Sequence, residues 1–168
     1  TLYNPRMYLS HRFLSLIQAI ESFHRRTYGG KYLSDEEYKV VYDALVTAIP
    51  EGVGNNLKDK LKGYLNYGNE FSLKKRLEEI FDKYQEILDR FIENKNAFIE
   101  KIVNTRNYLT HYDKELKERA ANGEDLYCLT QKLKMCLEIC LLRELGFSSE
   151  EIKSLFSRNR RYQHEFIQ

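Results

Sequence analysis

The segment 105–112 holds the side chains best suited to chemistry in this sequence. Arg106, Asn107 and His111 fall within six residues, with no carboxylate or lysine among them. On a helix, Asn107 and His111 lie one turn apart on the same face, separated by about 40° around the axis. Arg106 lies about 140° from His111, but its long side chain can lean across the turn. The three polar groups could therefore meet at one small anionic group.

Such a trio suits cleavage of a phosphodiester bond in RNA. Histidine can accept the proton of a ribose 2′-hydroxyl or donate one to the leaving 5′-oxygen, because imidazole as a class titrates near neutral pH. Arginine binds phosphate oxygens and stabilises a pentacovalent transition state, and asparagine can orient the scissile group. This chemistry requires no metal. The alternative is that Asn107 and His111 only cap a helix end, with Arg106 in a surface ion pair.

Four further residues are candidates for binding the substrate. Tyr108 and Tyr112 flank the histidine and could stack on a base, although a helical tyrosine more often packs in a core. Thr110 could bind a phosphate or bond back to a helix carbonyl, which is the commoner fate of a helical threonine. Arg25 in the first helix could lie beside the site in the packed protein, or form an ordinary helix-surface pair with Glu21.

Length and charge limit the class of protein. A chain of 168 residues is the size of one domain with one core. The formal net charge of +2 is too small to indicate a nucleic-acid binder by bulk electrostatics, so an RNA site must come from local clustering. Two basic clusters occur, and each is more often a solvated face than a binding patch. They comprise Arg6, His11, Arg12, His24, Arg25 and Arg26 in the first helix, and Lys153, Arg158, Arg160 and Arg161 at the end.

The cysteines and the hydropathy pattern indicate a reduced, membrane-free environment. Cys128, Cys136 and Cys140 form no CxxC pair, and we expect them to behave as small core hydrophobes rather than to bind zinc. No apolar run approaches the length of a membrane span and no secretory leader is present, so we expect a soluble cytoplasmic protein. Because the chain begins at Thr1 rather than Met, we expect the C-terminal part of a longer protein, in which an N-terminal regulatory domain could precede it.

Apolar residues recur at intervals of three and four along most of the chain, which predicts an all-α, antiparallel bundle of about five to seven helices. The segment from Asp125 to Leu145 is apolar on more than one side, so it is either central or shared with another subunit. The predicted helices run from Asn4-Pro5 to about Thr27, from the Ser34 cap to about Ala48, from Asn55 to Asn66, from the Ser72 cap for five turns with a break or bend between Phe91 and Asn96, from about Asn96 through the motif, from Asp125 to Leu145, and from the Ser148 cap to about Phe156. Residues 113–121 are either a connection or the last turns of the helix that carries the motif.

The Arg-Asn-x-x-x-His motif at 106–111 resembles the Arg-x(4–6)-His signature of HEPN domains (higher eukaryotes and prokaryotes nucleotide-binding). The wider stretch, Phe98 to Asp113, is similar to the ApeA-like group of HEPN domains found in bacterial anti-phage defence proteins. The similarity extends to Gln18–Glu21 with His24-Arg25-Arg26, to Leu129–Leu133 and to Leu141–Phe147. It covers nearly the whole chain and implies a single HEPN-like domain over residues 1–168.

The resemblance also implies an activity. HEPN domains pair so that both Arg…His motifs face one cleft, which implies a homodimeric, metal-independent endoribonuclease that needs no cofactor and acts on RNA. In that reading His111 handles protons, Arg106 binds the scissile phosphate and Asn107 orients it. Cleavage would leave a 2′,3′-cyclic phosphate and a 5′-hydroxyl, and its role would be abortive infection in anti-phage defence.

Two other functions remain open at this point. Some HEPN domains are inactive, so the chain could be a non-catalytic helical module that binds RNA or nucleotide, or that dimerises a larger protein. The distinction depends on whether Arg106 and His111 face an open groove or are buried. A toxin paired with a minimal nucleotidyltransferase antitoxin ranks lower, because that HEPN subgroup carries a tyrosine two residues after the histidine. Here that position is Asp113, and Tyr112 is adjacent to His111.

Overall fold

The computed structural model describes residues 8–159, and over this range it contains helices and no β-strand. The predicted all-α class is confirmed. The helices are α1 Leu9–Tyr28, α2 Asp35–Thr47, α3 Asn55–Asn66, α4 Leu73–Lys83, α5 Gln85–Leu88, α6 Lys95–His111, α7 Gly123–Glu144 and α8 Ser149–Arg158, with a short 3-10 helix at Lys114–Leu116. The predicted helix start at Asn4-Pro5, and the arginines at 6, 160 and 161, lie outside the described residues.

Side-chain caps explain where several helices begin. Ser34 and Glu37 form a capping box at α2, in which each side chain accepts a hydrogen bond from the other residue's backbone N–H. Ser148 and Glu151 repeat this arrangement at α8. At α6 the side-chain oxygen of Asn94 accepts from a backbone N–H in the first turn. Each cap satisfies a donor that the helix itself cannot.

The contacts divide the described chain into two compact units. The larger comprises the residues up to Thr27 together with those from Leu73 onward, and it contains the hydrophobic core. Its most deeply buried side chains come from α1, α4, α5, α6, α7 and α8. They include Phe13, Leu16, Ile20, Leu77, Ile80, Leu88, Ile99, Ile102, Leu133 and Met135.

Helix α7 is central in the larger unit. From Leu129 to Leu137 every residue except Lys132 is buried, so all sides of this stretch are covered. Of the two alternatives for a helix that is apolar on more than one side, a central position or one shared with another subunit, this burial agrees with the central position. Among the described residues, no helix is both long enough and apolar enough to cross a membrane.

The smaller unit, residues 28–72, is a hairpin of α2 and α3. The Tyr38 hydroxyl donates to the Leu65 carbonyl (2.5 Å) across the hairpin. None of its nonpolar side chains is buried; the apolar side predicted for α2 is at most half-buried. The core is therefore confined to the larger unit, and the expectation that residues 1–168 form one domain stays a prediction.

The fourth helix is shorter than predicted. Instead of five continuous turns, α4 ends at Lys83, Tyr84 leaves helical geometry (φ −113°, ψ 20°), and α5 is a single turn. The buried positions nevertheless continue through the break at Tyr84, Ile87, Leu88 and Phe91. The prediction was wrong because apolar periodicity indicates which side faces the core, not whether the backbone hydrogen bonds are continuous.

Helix α6 carries the Arg106–His111 motif and ends with it. Tyr112 follows in the left-handed conformation (φ 51°, ψ 36°), which stops the helix. Residues 113–121 are therefore a connection and not the last turns of α6. Inside the larger unit the buried Thr105 hydroxyl donates to the Lys101 carbonyl (2.7 Å) and accepts from the Ala121 N–H (2.9 Å). The hydrogen bond between Ala121 and Thr105 therefore holds the chain that follows the motif against α6.

Candidate active site

The motif residues lie on the last turns of α6. His111 is exposed, whereas Arg106 and Asn107 are half-buried. Arg106 Nη1 donates a hydrogen bond to Asn107 Oδ1 (2.9 Å). Since Asn107 and His111 are four residues apart on the same helix, this bond directs the guanidinium toward the face that they share. The structure thus brings Arg106 and Asn107 into contact, with the imidazole one turn further on.

The end of a helix is an unfavourable place for an anion. The last carbonyl groups of α6 carry partial negative charge. Asp113 and Glu115 follow immediately and are also exposed. The Asp113 carboxylate is occupied in accepting the Glu115 N–H (3.0 Å). A phosphate at this position therefore depends on Arg106 and gains from a second cationic group.

The neighbouring candidates for substrate binding, Tyr108, Thr110 and Tyr112, differ in exposure and in hydrogen bonding. Tyr112 is 75% exposed and its ring centroid lies 6.0 Å from that of the half-buried Tyr108, so one aromatic surface is open to solvent. The Thr110 hydroxyl donates to the Arg106 carbonyl (2.8 Å), the helix bond that was the commoner alternative. The hydroxyl proton is therefore engaged, and a role for Thr110 in binding substrate stays a prediction.

Arg25, the fourth candidate, lies exposed on α1. It lines a cavity together with Gln18, Glu21, Ser22 and Arg26, and no residue of the motif lines that cavity. A role for Arg25 beside Arg106 therefore remains a prediction from sequence.

The comparisons with known proteins decide the family. The sequence profile of the Apea-like HEPN family matches residues 14–151. The chain belongs to this family. The match spans most of the chain and includes the positions of Arg106, Asn107 and His111. Neither the comparison with curated proteins nor that with solved structures gave a match.

The HEPN domain also contains a buried polar cluster that sequence reasoning missed. His24 on α1 is fully buried (0% exposed) and Arg76 on α4 is 1% exposed. Arg76 Nη1 lies 3.0 Å from His24 Nδ1, and Glu79 Oε2 lies 2.9 Å from Nε2. Because arginine only donates, Nδ1 must accept and Nε2 must carry the proton. The three side chains thus specify one neutral tautomer of His24.

The environment of His24 explains its titration. Burial lowers the pKa of His24, the hydrogen bond that it donates to Glu79 opposes that effect, and the adjacent positive charge of Arg76 reinforces it. Its net pKa lies below the ordinary value. A second proton on the ring would have to replace the hydrogen bond from Arg76, so the cluster is stable only while His24 is neutral.

The expectation that His24 belongs to a solvated basic face of the first helix was wrong. His24 follows Ile20 by four residues, and Arg76 follows Leu73 by three, so each lies on the apolar stripe of its helix. A polar residue on such a stripe is the signal that could have located this cluster. Its partners could not be found from sequence, because they lie on another helix.

No metal site is evident in the HEPN domain between residues 8 and 159, where no group of three or more His, Cys, Asp or Glu side chains comes together. Cys136 and Cys140 are buried in α7, as expected for core thiols, and burial raises the pKa of both, that of Cys140 to about 12. Cys128 is exposed instead, since it lies on the outer side of the first turns of α7.

Proposed function

We propose that this HEPN domain is a metal-independent endoribonuclease that acts as a homodimer. Family membership and the arrangement on α6 support the proposal. The observation that carries it is an exposed imidazole, His111, one helical turn from a guanidinium that Asn107 holds in place. A solvent-sealed His111 would have favoured the non-catalytic alternative.

The reaction is an internal transesterification. His111 of one protomer accepts the proton of the ribose 2′-hydroxyl, and the 2′-oxygen attacks the adjacent phosphorus. Arg106 binds the non-bridging oxygens and stabilises the charge of the pentacovalent transition state. The bond to the 5′-oxygen breaks, and the partner subunit's His111 donates a proton to that oxygen. The products are a 2′,3′-cyclic phosphate and a 5′-hydroxyl.

Two physical reasons favour a dimer. One imidazole cannot be the neutral proton acceptor and the cationic proton donor in the same step, so two histidines are needed. The carbonyl groups at the end of α6 also oppose phosphate binding, and a second arginine offsets them. Asn107 then serves first as a positioning residue, because its Oδ1 accepts from Arg106. The cellular role that we propose is RNA degradation in the cytoplasm of phage-infected bacteria, leading to abortive infection.

Substitution of the two catalytic side chains tests this proposal. His111→Ala and Arg106→Ala should each lower the rate of RNA cleavage by at least about 100-fold, measured in EDTA with an end-labelled RNA. Helix content and sedimentation should stay unchanged, because neither residue belongs to the core. The matched controls are His11→Ala and Arg90→Ala, which remove the same side chains from exposed positions elsewhere.

The chemistry itself gives a second, independent test. An RNA with one 2′-deoxynucleotide on the 5′ side of the preferred cleavage site should resist cleavage there, since it lacks the attacking oxygen. The product of the unmodified RNA should carry a cyclic phosphate that acid opens. Cleavage that survives either alanine substitution, or that proceeds at the deoxy position, would show that the proposed mechanism is wrong.

A further inference from the structure

A groove runs along one side of α1, and none of the motif residues lines it. It consists of two adjoining cavities of about 320 Å³ and about 360 Å³, which share Gln18 and Ser22 in their linings. The first cavity is also lined by four other residues of α1 and by one residue of α7: Arg12, Ser15, Leu16, Ala19 and Leu137. Because the two cavities share residues of one helix, they form a continuous surface.

The lining residues follow the helical repeat. Positions 12, 15, 18, 22, 25 and 26 recur at intervals of three and four, so they share one side of α1. From Arg12 to Arg26 the helix rises about 21 Å. Arginines stand at the two ends of this span, with the Ser15 and Ser22 hydroxyls and the Gln18 amide between them.

The charge and shape of the groove indicate its ligand. Three guanidinium groups and one carboxylate, that of Glu21, line it, so the net charge is positive. Guanidinium groups bind phosphate oxygens in bidentate fashion, and hydroxyl and amide groups add hydrogen bonds to phosphate or sugar. The small side chains of Ser15, Ala19 and Ser22 leave room for a backbone to approach. A single nucleotide is too short to reach arginines at both ends, whereas a polymer of phosphates can.

We propose that this groove, hereafter the α1 groove, binds the sugar-phosphate backbone of single-stranded RNA. The proposal rests on the proposed function in that it takes RNA as the substrate. The α1 groove holds nucleotides of the strand by charge and hydrogen bonds without reading their bases, and the α6 motif performs the cleavage. Arg25, Arg26 and Ser22 are exposed, so they can be replaced without disturbing the core.

A binding measurement tests the proposal in the His111→Ala background, in which the RNA remains intact. The probe is a fluorescein-labelled single-stranded RNA that is longer than the groove, titrated by anisotropy at several KCl concentrations. Arg25→Gln/Arg26→Gln should weaken binding by about tenfold at low salt and reduce the slope of log affinity against log salt by about 1 to 1.5. Ser22→Glu, which adds a carboxylate where the two cavities meet, should weaken binding similarly.

The control variant removes two positive charges, as Arg25→Gln/Arg26→Gln does, but from positions outside the α1 groove. Arg90→Gln/Arg158→Gln changes two exposed arginines outside the groove and should leave the affinity and salt slope close to those of the parent. If the control loses as much affinity as the groove variants, or if the groove variants bind like the parent, the proposal is wrong. It is also wrong if the groove variants lose affinity only because they change the oligomeric state in sedimentation, which would make the groove a contact between chains.

These outcomes separate the two proposals. If His111→Ala abolishes cleavage while the groove variants bind RNA normally, the α1 groove is refuted and the nuclease stands. If the wild-type protein cleaves no RNA but the groove variants still lose affinity relative to the control, the nuclease is refuted and the α1 groove stands.

Discussion

Two histidines of the larger unit, His111 and His24, show how the environment gives one residue type different properties. His111 is exposed at the end of α6, where its ring is accessible to solvent. His24 is enclosed between Arg76 and Glu79, where one nitrogen must accept and the other must donate. Only the first is suited to acid–base catalysis, and the second contributes to stability.

Replacement of His24 should destabilise the fold in a pH-dependent way. His24→Ala leaves the buried Arg76 without this acceptor, which should cost about 1 to 3 kcal/mol of unfolding free energy near pH 7.5. The folded-state pKa lies below the ordinary value of 6.5, so the unfolded chain takes up the proton first as pH falls. The stability that His24 contributes is therefore full above pH 6.5 and decreases below it.

Urea unfolding of wild type and His24→Ala near pH 7.5 and near pH 5.5 measures this effect. The difference in unfolding free energy between the two proteins should narrow at the lower pH. His11→Ala is the control, because it removes the same side chain from an exposed position, and it should change the unfolding free energy by no more than about 0.5 kcal/mol. A difference that stays constant over this range would contradict the lowered pKa of the buried His24.

At the scale of secondary structure, one threonine determines the path of the chain after the motif. Thr105→Val keeps the shape of the side chain but removes the acceptor for the Ala121 N–H. Because that N–H would be buried without a partner, the substitution should cost about 1 to 3 kcal/mol in urea unfolding.

Thr110→Val on the same helix is the comparison for this prediction. Its hydroxyl bonds only to carbonyl groups of α6 and lies at the exposed end. The expected cost is within about 0.5 kcal/mol. Equal costs at the two positions would mean that the hydrogen bond between Thr105 and Ala121 does not fix this segment.

The sequence predicted the helices that begin and end with local signals. The Ser34 and Ser148 caps specified the starts of α2 and α8, and the spacing of Asn107 and His111 specified their common face. The end of α6 had no such signal, since no glycine or proline follows His111 and Tyr112 takes a conformation more typical of glycine. The hydrogen bond between Thr105 and Ala121, which holds the chain after the helix, joins residues 16 apart and could not be predicted from a local pattern either.

The site was predictable only in part for the same reason. Residue type and spacing identified Arg106, Asn107 and His111 as candidates, but not that Asn107 accepts a hydrogen bond from Arg106. The cluster of His24 with Arg76 joins residues 52 apart, and no local pattern encodes such a pair. Concave surfaces such as the α1 groove depend on how α1 and α7 pack.

At the scale of the whole molecule, the reactivity of the three cysteines shows whether the core around α7 is closed to solvent. Cys128 is exposed, while Cys136 and Cys140 are buried in the central helix with raised pKa values. Because the thiolate is the reactive form, one thiol per chain should react quickly with a thiol reagent near neutral pH, and two should react only on unfolding.

A time course with a chromogenic disulfide reagent measures this pattern, with and without urea. Cys128→Ser should remove the fast phase and leave the slow one unchanged. Fast reaction of all three thiols in the native protein would mean that α7 is not enclosed as described.

The first and last residues of the hairpin, residues 28–72, are joined by backbone hydrogen bonds. The Phe71 N–H donates to the Gly30 carbonyl (2.9 Å) and the Tyr32 N–H donates to the Asn69 carbonyl (3.0 Å), so the two ends of the hairpin lie side by side. The entropic cost of closing a loop rises only slowly with its length, so the distance between the two ends constrains the chain from α1 to α4 more than the number of residues between them does. The hairpin can therefore be lengthened or shortened between these two ends with little change in the path of the rest of the chain.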